Sequence, residues 1–276
     1  MSKIRYETLG AVAELVLNRP DKLNAIDSDM LYGMDQALDD ARDDDDVRVL
    51  LLRGEGRAFS AGFDLGAGMD DLTLTGEEAL RAELKRDFDF IMRFWDFPKP
   101  IVAAVHGYCL GSSMEISAVC DITIAAEGCR FGAPEVRYGS GVICMILPWI
   151  VGQKNARELL LTGTDQIDAA RAEAIGLVNR VVPPDSLLQE AHDIANEIAL
   201  NDRVAVCLTK KAIKQSIETA GLRQALENAL EIDFEIEATE TPESKEFYRI
   251  MEEQGAKAAF RWRAAQLEGR KTGTVQ

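Results

Sequence analysis

Two glutamates stand in stretches of the sequence that are otherwise apolar or small. Glu115 lies within LGSSMEI and Glu135 within FGAPEV. A carboxylate is costly to remove from water, so each is expected to be either paired or functional. One interpretation is a salt bridge, for example to Arg130 or Arg137. The other is acid–base chemistry, in which two carboxyls hold a water, one accepting its proton and the other orienting it.

Two glycine-containing turns offer backbone N–H groups to a ligand. Residues 61–64 (Ala-Gly-Phe-Asp) follow a predicted strand, and residues 107–112 connect another strand to a predicted helix. The first N–H groups of a helix lack partners and carry the positive end of its dipole. Together, such groups can stabilise a developing oxyanion. Alone, each segment is also the pattern of an ordinary turn.

Other catalytic motifs are absent from the sequence. The only histidines are His106 and His192, and the sequence contains no GxSxG serine. A histidine triad would have to use His106, and the position is more typical of a turn or core histidine. There is no P-loop, HExxH or clustered Cys/His set. The five cysteines form no CxxC pair and are expected to be free thiols in a reducing cytoplasm.

The elements that must position these residues alternate between strand and helix patterns. Strands are predicted at Val12–Leu17, Val47–Leu52, Ile101–Val105 and Ile122–Ala126, and helices after Asp27 and over Leu84–Trp95 and Ser112–Val119. Apolar runs of this kind are typical of parallel strands that are buried on both faces. The alternation predicts an α/β architecture with right-handed crossovers.

The character of the chain changes after Val181–Asp185, where strand patterns end. Helices are predicted over Leu187–Leu200, Arg203–Glu218, Gly221–Thr239 and Glu243–Gln266. Their apolar positions need the main domain or another subunit to pack on. The sequence therefore predicts an α/β core over residues 1–195 and a helical region over residues 196–276.

Charge and hydropathy exclude several classes of protein. The 276 residues include 31 Lys and Arg against 47 Asp and Glu, a net charge of −16. This charge argues against non-specific binding to nucleic acid or an anionic membrane. Apolar residues make up 47%, too many for a disordered chain. The N-terminus has no signal-peptide core, and the longest uncharged stretch, Tyr138–Gln153, is too short to span a bilayer.

Two segments carry most of the negative charge. Asp39–Asp46 contains six acids and one arginine, and Glu227–Glu246 contains eight acids and one lysine. Both segments are expected to lie at the surface, away from any anionic ligand. Arg19 and Lys22 are expected to supply positive charge near such a ligand.

Several sequence blocks occur in an order that resembles the enoyl-CoA hydratase/isomerase (crotonase) superfamily over nearly the whole chain. They are LNRPDKLNA from Leu17, FSAGFDL from Phe59, KPIVAAVHGY from Lys99, MEI from Met114, CDI from Cys120, FGAPE from Phe131 and LTG from Leu161. The resemblance implies a crotonase-like spiral of ββα units. It also implies that the C-terminal helices form a trimer or a dimer of trimers.

The resemblance further implies an enoyl-CoA hydratase acting on an acyl-CoA thioester. The carbonyl would lie between the backbone N–H groups of Phe63 and Ser112, and Glu115 and Glu135 would hold and deprotonate the water. Glu135 would exchange the proton at the α-carbon. No metal or separate cofactor is expected, because coenzyme A enters as part of the substrate.

Contacts to coenzyme A carry over more loosely. The implied binding positions are Lys22, Leu23, Ala25, Ala61, Asp64, Gly111 and Arg263. Lys22, Leu23 and Ala25 match the loop over the nucleotide, and Arg263 falls near a position that reaches coenzyme A from a neighbouring subunit. For Lys22 and Arg263, a solvated surface charge is an equally open interpretation.

The sequence departs from the family at Ser112 and Ser113, where hydratases commonly have glycines, and in the Gly139–Cys144 segment. A serine still supplies a backbone N–H but adds bulk and restricts the backbone. Three alternatives therefore stay open: an isomerase that shifts the double bond, a hydrolase or C–C bond-cleaving relative, and a catalytically weak acyl-CoA-binding protein.

Overall fold

The computed structural model describes residues 2–66 and 75–272. Within these ranges the strands are β1 (Ile4–Leu9), β2 (Val12–Leu17), β3 (Val49–Gly54), β4 (Ile101–Val105), β5 (Tyr108–Leu110), β6 (Ile122–Ala126), β7 (Arg130–Gly132), β8 (Ile167–Asp168) and β9 (Arg180–Val182). The helices are α1 (Ser28–Asp43), α2 (Gly76–Asp96), α3 (Ser112–Val119), α4 (Leu147–Ile150), α5 (Gly152–Thr162), α6 (Ala169–Ala174), α7 (Leu187–Leu200), α8 (Arg203–Thr219), α9 (Leu222–Glu237), α10 (Pro242–Gln254) and α11 (Ala256–Thr272).

Two sheets organise the first part of the chain. The larger has the order β1-β2-β3-β4-β6-β9, and the smaller has the order β5-β7-β8. Pairing is parallel from β2 to β9, as the apolar runs predict, whereas β1–β2 and β7–β8 are antiparallel. The α/β prediction is confirmed, with an antiparallel hairpin added at one edge.

The larger sheet is buried on both faces, which explains its apolar strands. On one face Leu50, Leu52 and Ala103 belong to the core that includes α1, α2 and α3. On the other face Val49, Leu51 and Val102 pack against α7. Side chains alternate between faces along a strand, so strands covered on both sides need apolar residues at every position.

The C-terminal region is helical, as predicted, with one difference. The single helix expected over Glu243–Gln266 is two helices, α10 and α11, separated at Gly255. Gly255 has φ +85°, a conformation that breaks the helix. The predicted boundary at residue 195 falls inside α7, which covers the sheet, and the outer ends of the two predicted regions, Met1 and residues 273–276, lie outside the described ranges.

The candidate catalytic segments meet beyond the carboxyl ends of β3 and β4. Ser60 and Cys109 form a bridge that joins the loop after β3 to β5, and β5 leads directly into α3. Ligands of parallel α/β sheets commonly bind at this edge. The fold therefore brings the two glycine-containing turns together although about 50 residues separate them in the chain.

Candidate active site

A cavity of about 490 Å³ contains nearly all the predicted site residues. It is lined by Lys22, Ala25, Ala61, Phe63, Asp64, Gly111, Ser112, Glu115, Glu135 and Arg263. Leu23 is not part of the lining. Its left-handed backbone, with φ +53°, shapes the loop instead, and its carbonyl accepts the N–H of Ala61.

The backbone N–H groups of Phe63 and Ser112 face a common space. A Cβ placed on Gly62 would lie 3.3 Å from the nitrogen of Ser112, so the two loops are in close contact. Neither N–H has a hydrogen-bond acceptor within residues 2–66 and 75–272. Ser112 opens α3, where the helix leaves its first N–H groups unpaired. Two N–H groups in one cavity, without acceptors among the described residues, are chemically able to bind an anionic oxygen.

The two serines at the start of α3 have different roles. Ser113 is fully buried, and its Oγ lies 2.8 Å from the carbonyl of Ser60 and 2.7 Å from that of Leu110. It therefore ties together the two loops that supply the N–H pair. Ser112 has a negative φ, so serine fits there without backbone strain, and its buried Oγ has no partner among the described residues.

The carboxyl of Glu115 is buried within α3, all eight residues of which are buried. Its Oε2 accepts the backbone N–H of Cys144 at 3.3 Å. Burial, and then the negative charges of Glu135 and Asp233, raise the pKa of Glu115 well above its ordinary value. A carboxyl with a pKa raised by burial in a cavity is a candidate for proton transfer.

Glu135 begins a short 3-10 turn after β7 and reaches back over the start of α3. Its Oε1 would lie 2.7 Å from a Cβ on Gly111, so only a glycine at that position leaves room for the carboxyl. Its Oε2 is buried, with no partner in the described part of the chain. Burial, and then the charges of Asp233 and Glu237, raise the pKa of Glu135 to about 8.

The salt-bridge interpretation of the two glutamates is wrong. Arg137 pairs with Asp165 at 3.1 Å, and no ion pair to Glu115 or Glu135 occurs among the residues described. The two histidines lie elsewhere: His106 Nε2 contacts the carbonyl of Gly56, and His192 contacts Glu14. All five cysteines are free, as predicted, and no group of side chains in the described ranges could hold a metal ion.

The charge near the cavity differs from the expectation in two ways. Arg19 is not available to a ligand, because its guanidinium is bonded to Asp64 at 2.6 Å and lies 3.4 Å from Asp27. The acidic run Glu227–Glu246 does not lie away from the site, because Asp233 and Glu237 of this run reach the wall of the cavity. Lys22 remains as an exposed cation of the nucleotide loop.

The last helix closes the cavity from within the same chain. Arg263 lines the cavity and donates from Nε to the carbonyl of Arg137. Tyr138 stacks on Phe247 of α10 at 5.0 Å and meets Phe260 of α11 edge-on at 5.7 Å. The position inferred to act from a neighbouring subunit therefore lies against this chain's own site.

Asn24 is a structural centre of the nucleotide loop that the sequence did not single out. Its fully buried amide donates to the carbonyls of Glu55, Ala58 and Phe59, and its Oδ1 accepts the N–H of Arg19. The residue has φ +53°, a left-handed conformation that asparagine tolerates better than most residues. This network fixes the loop that contains Asn24 against the loop after β3, which also contains Phe63.

Asp233 is the other important residue that the sequence did not single out. It occupies the buried stripe of α9 with Leu226, Leu230 and Phe234. An acid at an apolar position of a helical repeat is a pattern that could have identified it.

The sequence of the chain matches a known protein family. The model of the enoyl-CoA hydratase/isomerase family matches residues 7–257. A short-chain-enoyl-CoA hydratase of Clostridium acetobutylicum is 36% identical over 226 residues, covering 79% of this chain and 83% of the relative.

Solved structures agree. An enoyl-CoA hydratase/isomerase from Xanthobacter autotrophicus Py2 is 47% identical with a TM-score of 0.92, covering 96% of this chain and 98% of that one. An enoyl-CoA hydratase from Mycobacterium smegmatis is 26% identical with a TM-score of 0.85, covering 95% and 92% of the two chains.

Proposed function

Because the chain belongs to the enoyl-CoA hydratase/isomerase (crotonase) family, we propose that it is an enoyl-CoA hydratase, which adds water across the α,β double bond of an enoyl-CoA thioester. One observation carries the proposal. Two carboxyls without a cationic partner, Glu115 and Glu135, share a cavity with two N–H groups, those of Phe63 and Ser112, that have no acceptor in the described ranges.

The N–H pair polarises the thioester. The carbonyl oxygen accepts hydrogen bonds from Phe63 and Ser112, and these bonds strengthen as negative charge moves onto the oxygen. Loss of one such donor typically costs about 10²–10³ in rate. The β-carbon becomes electron-poor and open to attack by water.

The glutamates move the protons. Glu115 accepts a proton from water as the water oxygen bonds to the β-carbon, and Glu135 gives its proton to the α-carbon. The sum is one water added across the double bond. The bond from the N–H of Cys144 orients the carboxyl of Glu115, and the raised pKa of Glu135 supports a protonated acid near neutral pH.

The coenzyme A part of the substrate is assigned to the open side of the cavity. Lys22 and Arg263 line it and carry the positive charge that phosphates require. Ala25, Ala61 and Asp64 line the same cavity, and Gly111 lies beside Ser112 in its wall. The proposed steps use only groups of this chain and its substrate.

We also propose that the protein assembles as a homotrimer or a dimer of trimers. None of the residues of α8 is buried, and Val204, Leu208 and Ile213 of this helix are exposed large apolar side chains. Such a face favours a protein partner. Sedimentation at equilibrium should give a trimeric or hexameric mass, and a monomeric mass would contradict the proposal.

A reducing compartment, the cytoplasm, is proposed for the enzyme. The five free cysteines support it. No helix within the described residues is both long and apolar enough to cross a membrane.

The test of function is hydration of crotonyl-CoA, followed as loss of enoyl absorbance, in Glu135→Gln and Glu115→Gln. Each variant should lose about 10²–10⁴ in kcat because a proton-transfer group is gone. Binding of butyryl-CoA, which cannot be hydrated, should change little.

Glu127→Gln is the matched control, because Glu127 is an exposed glutamate on the turn after β6. It should behave as the parent protein does. Full hydration by Glu135→Gln would contradict the mechanism. An isomerised product without hydration would assign the activity to an isomerase, and no turnover of any enoyl-CoA would contradict both.

A further inference from the structure

Asp233 is an unusual carboxyl close to the site. It is 2% exposed, and neither of its carboxyl oxygens has a hydrogen-bond partner among the described residues. A Cβ on Gly141, which lines the cavity, would lie 1.7 Å from Oδ1. The carboxyl therefore occupies the space that a side chain at position 141 would need. An unsatisfied buried group of this kind calls for a functional explanation.

The Ser140–Cys144 segment connects this acid to the catalytic glutamates. Glu237, one turn beyond Asp233 on α9, accepts the hydroxyl of Ser140 and, at 3.2 Å, the N–H of Gly141. The N–H of Ser140 donates to the carbonyl of Glu135 at 3.1 Å. At the other end of the segment, the N–H of Cys144 donates to Glu115.

The electrostatic surroundings are predominantly negative. The acids that act on this cluster are Glu115 of α3, Glu135 of the 3-10 turn, Asp87 and Glu83 of α2, and Asp233 and Glu237 of α9. The phenols of Tyr138 and of Tyr248 on α10 lie beside them.

The nearby cations are engaged elsewhere. Arg137 pairs with Asp165, Arg223 of α9 pairs with Asp96 and Glu218, and Arg86 of α2 contacts Asp87. Arg263 of α11 contacts the carbonyl of Arg137. No ion pair to Asp233 or Glu237 occurs in the described part of the chain. Arg81 of α2 lies over the ring of Phe234 and pairs with Glu231 of α9 at 2.8 Å, so it is also engaged by another acid.

We propose that Asp233 and Glu237 are positioning residues of the hydration reaction: Glu237 holds the Ser140–Cys144 segment against the catalytic glutamates, and the charge of Asp233 sets the pH range over which Glu135 keeps its proton. This role rests on the proposed hydratase function. Neither residue touches the reacting atoms. Both act through the segment or through the electric field at Glu135.

The charge of Asp233 is tested by Asp233→Asn, which preserves shape. Burial, and then the charge of Glu237, raise the pKa of Asp233 to about 7, so this carboxyl is ionised where Glu135 loses its proton. The alkaline limb of kcat for crotonyl-CoA hydration should shift to lower pH by on the order of one unit. KM below that limb should stay constant, since the ligand surface is unchanged.

Glu235→Gln is the matched control. It removes one charge from an exposed position of the same helix, and its pH profile should superimpose on that of the parent protein. Superposition of the Asp233→Asn profile as well would overturn the role of Asp233. Should Asp233→Asn fail to fold, Asp233→Ser removes the same charge with a smaller group.

The positioning role of Glu237 has its own pair of variants. Glu237→Ala removes the acceptor for Ser140 and Gly141 and should lower kcat about 10-fold to 100-fold. Glu237→Gln keeps an acceptor oxygen and should restore most of the activity. Equal activity in both variants and the parent protein would overturn this part of the proposal.

A readout without substrate separates this inference from the proposed function. The infrared C=O band of protonated Glu135, assigned by its loss in Glu135→Gln, should titrate at lower pH in Asp233→Asn than in the parent protein. An enzyme that fails to hydrate crotonyl-CoA contradicts the hydratase proposal. An unchanged infrared midpoint contradicts the role of Asp233, whatever the activity.

Discussion

At the scale of single residues, Glu115 and Glu135 differ from most acids of this chain because no cation compensates their burial. Exposed acids such as Glu246 pair with arginines, and the pKa of Glu246 is lowered by Arg249. In the site, burial acts in the opposite direction, and the pKa values of both glutamates are raised. Environment, and not residue type, therefore raises the pKa values of the two carboxyls to which we assign proton transfer.

The pH dependence of hydration follows from this environment. In the proposed mechanism Glu135 must be protonated so that it can give a proton to the α-carbon. Its pKa is raised from 4.5 to about 8. We expect kcat to fall as pH rises through about 8, whereas an ordinary glutamate would lose its proton several units lower. A pH profile of kcat measures the limb, and a decline already complete at about pH 6 would contradict the assignment.

The two serines of α3 provide a residue-scale comparison. Ser113→Ala removes the hydroxyl bonds to the carbonyls of Ser60 and Leu110. The bond to Ser60 joins the two loops that carry Phe63 and Ser112, in addition to the backbone bonds between them, and its loss should lower kcat about 10-fold or more. Ser112→Ala removes a hydroxyl that has no partner in the described ranges and leaves the backbone N–H in place, so kcat should change by less than about 3-fold. Steady-state kinetics measure both effects, and the opposite order of effects would contradict the role of the Ser113 hydroxyl in joining the two loops.

At the scale of elements, the catalytic geometry depends on where α3 begins. Gly111, with φ +56° and ψ −134°, turns the chain from β5 into the helix. The absence of a side chain at Gly111 also leaves room for the carboxyl of Glu135. One residue therefore fixes the positions of both the Ser112 N–H and the Glu135 carboxyl. Ser112, where the family commonly has glycine, has a negative φ, and the positive φ falls on Gly111 instead.

Gly111→Ala should therefore abolish most of the activity. Both Gly111 and Gly128 have positive φ, +56° and +81°, so alanine costs backbone strain at either position. A Cβ at Gly128 meets nothing within 4 Å, whereas at Gly111 it displaces Glu135. Both variants should lose about 1–2 kcal/mol of stability, but only Gly111→Ala should lose hydration. Kinetics together with urea unfolding separate the two effects, and equal activity losses would point to strain alone.

At the scale of the whole molecule, the negative charge is not merely a solvated surface. Asp39–Asp46 lies at the end of α1 and includes partners of Arg42 and Arg93. In the acidic segment Glu227–Glu246, by contrast, Asp233 and Glu237 lie at the wall of the cavity. These acids oppose the folded state, because burial raises the pKa of Asp233 from 3.8 to about 7 and the folded protein binds that proton more tightly than the unfolded chain does.

Asp233→Asn should consequently change stability in a pH-dependent way. In the folded protein this carboxyl keeps its proton up to about pH 7, whereas in the unfolded chain it ionises near pH 4. The free-energy penalty that Asp233 imposes on folding therefore grows as pH rises from about 4 to 7 and then stays constant. The Tm gain of Asp233→Asn over the parent protein should be larger at about pH 8 than at about pH 4. Thermal unfolding at both values checks this, with Glu235→Gln as the control. A gain in Tm that does not depend on pH would show that folding does not raise the pKa of Asp233.

The sequence by itself determined the elements and the chemistry that they carry. Apolar runs located β2, β4 and β6, and the segment after the glycine turn located α3, at their observed bounds, because burial leaves a local imprint on residue type. Glu115 and Glu135 were identified for a related reason: a carboxyl in an apolar stretch is costly unless it is used. Phe63 and Ser112 followed from the resemblance in the glycine turns.

Only the tertiary structure decided which distant charges share the site. Whether Arg19 serves a ligand or Asp64, whether Arg137 pairs with a glutamate or with Asp165, and where the acids of α9 point are set by packing between remote segments. Long-range pairing leaves no periodic pattern in the sequence around either partner. Coulomb energy depends on distances of a few ångström and on desolvation, and both exist only once the chain is folded.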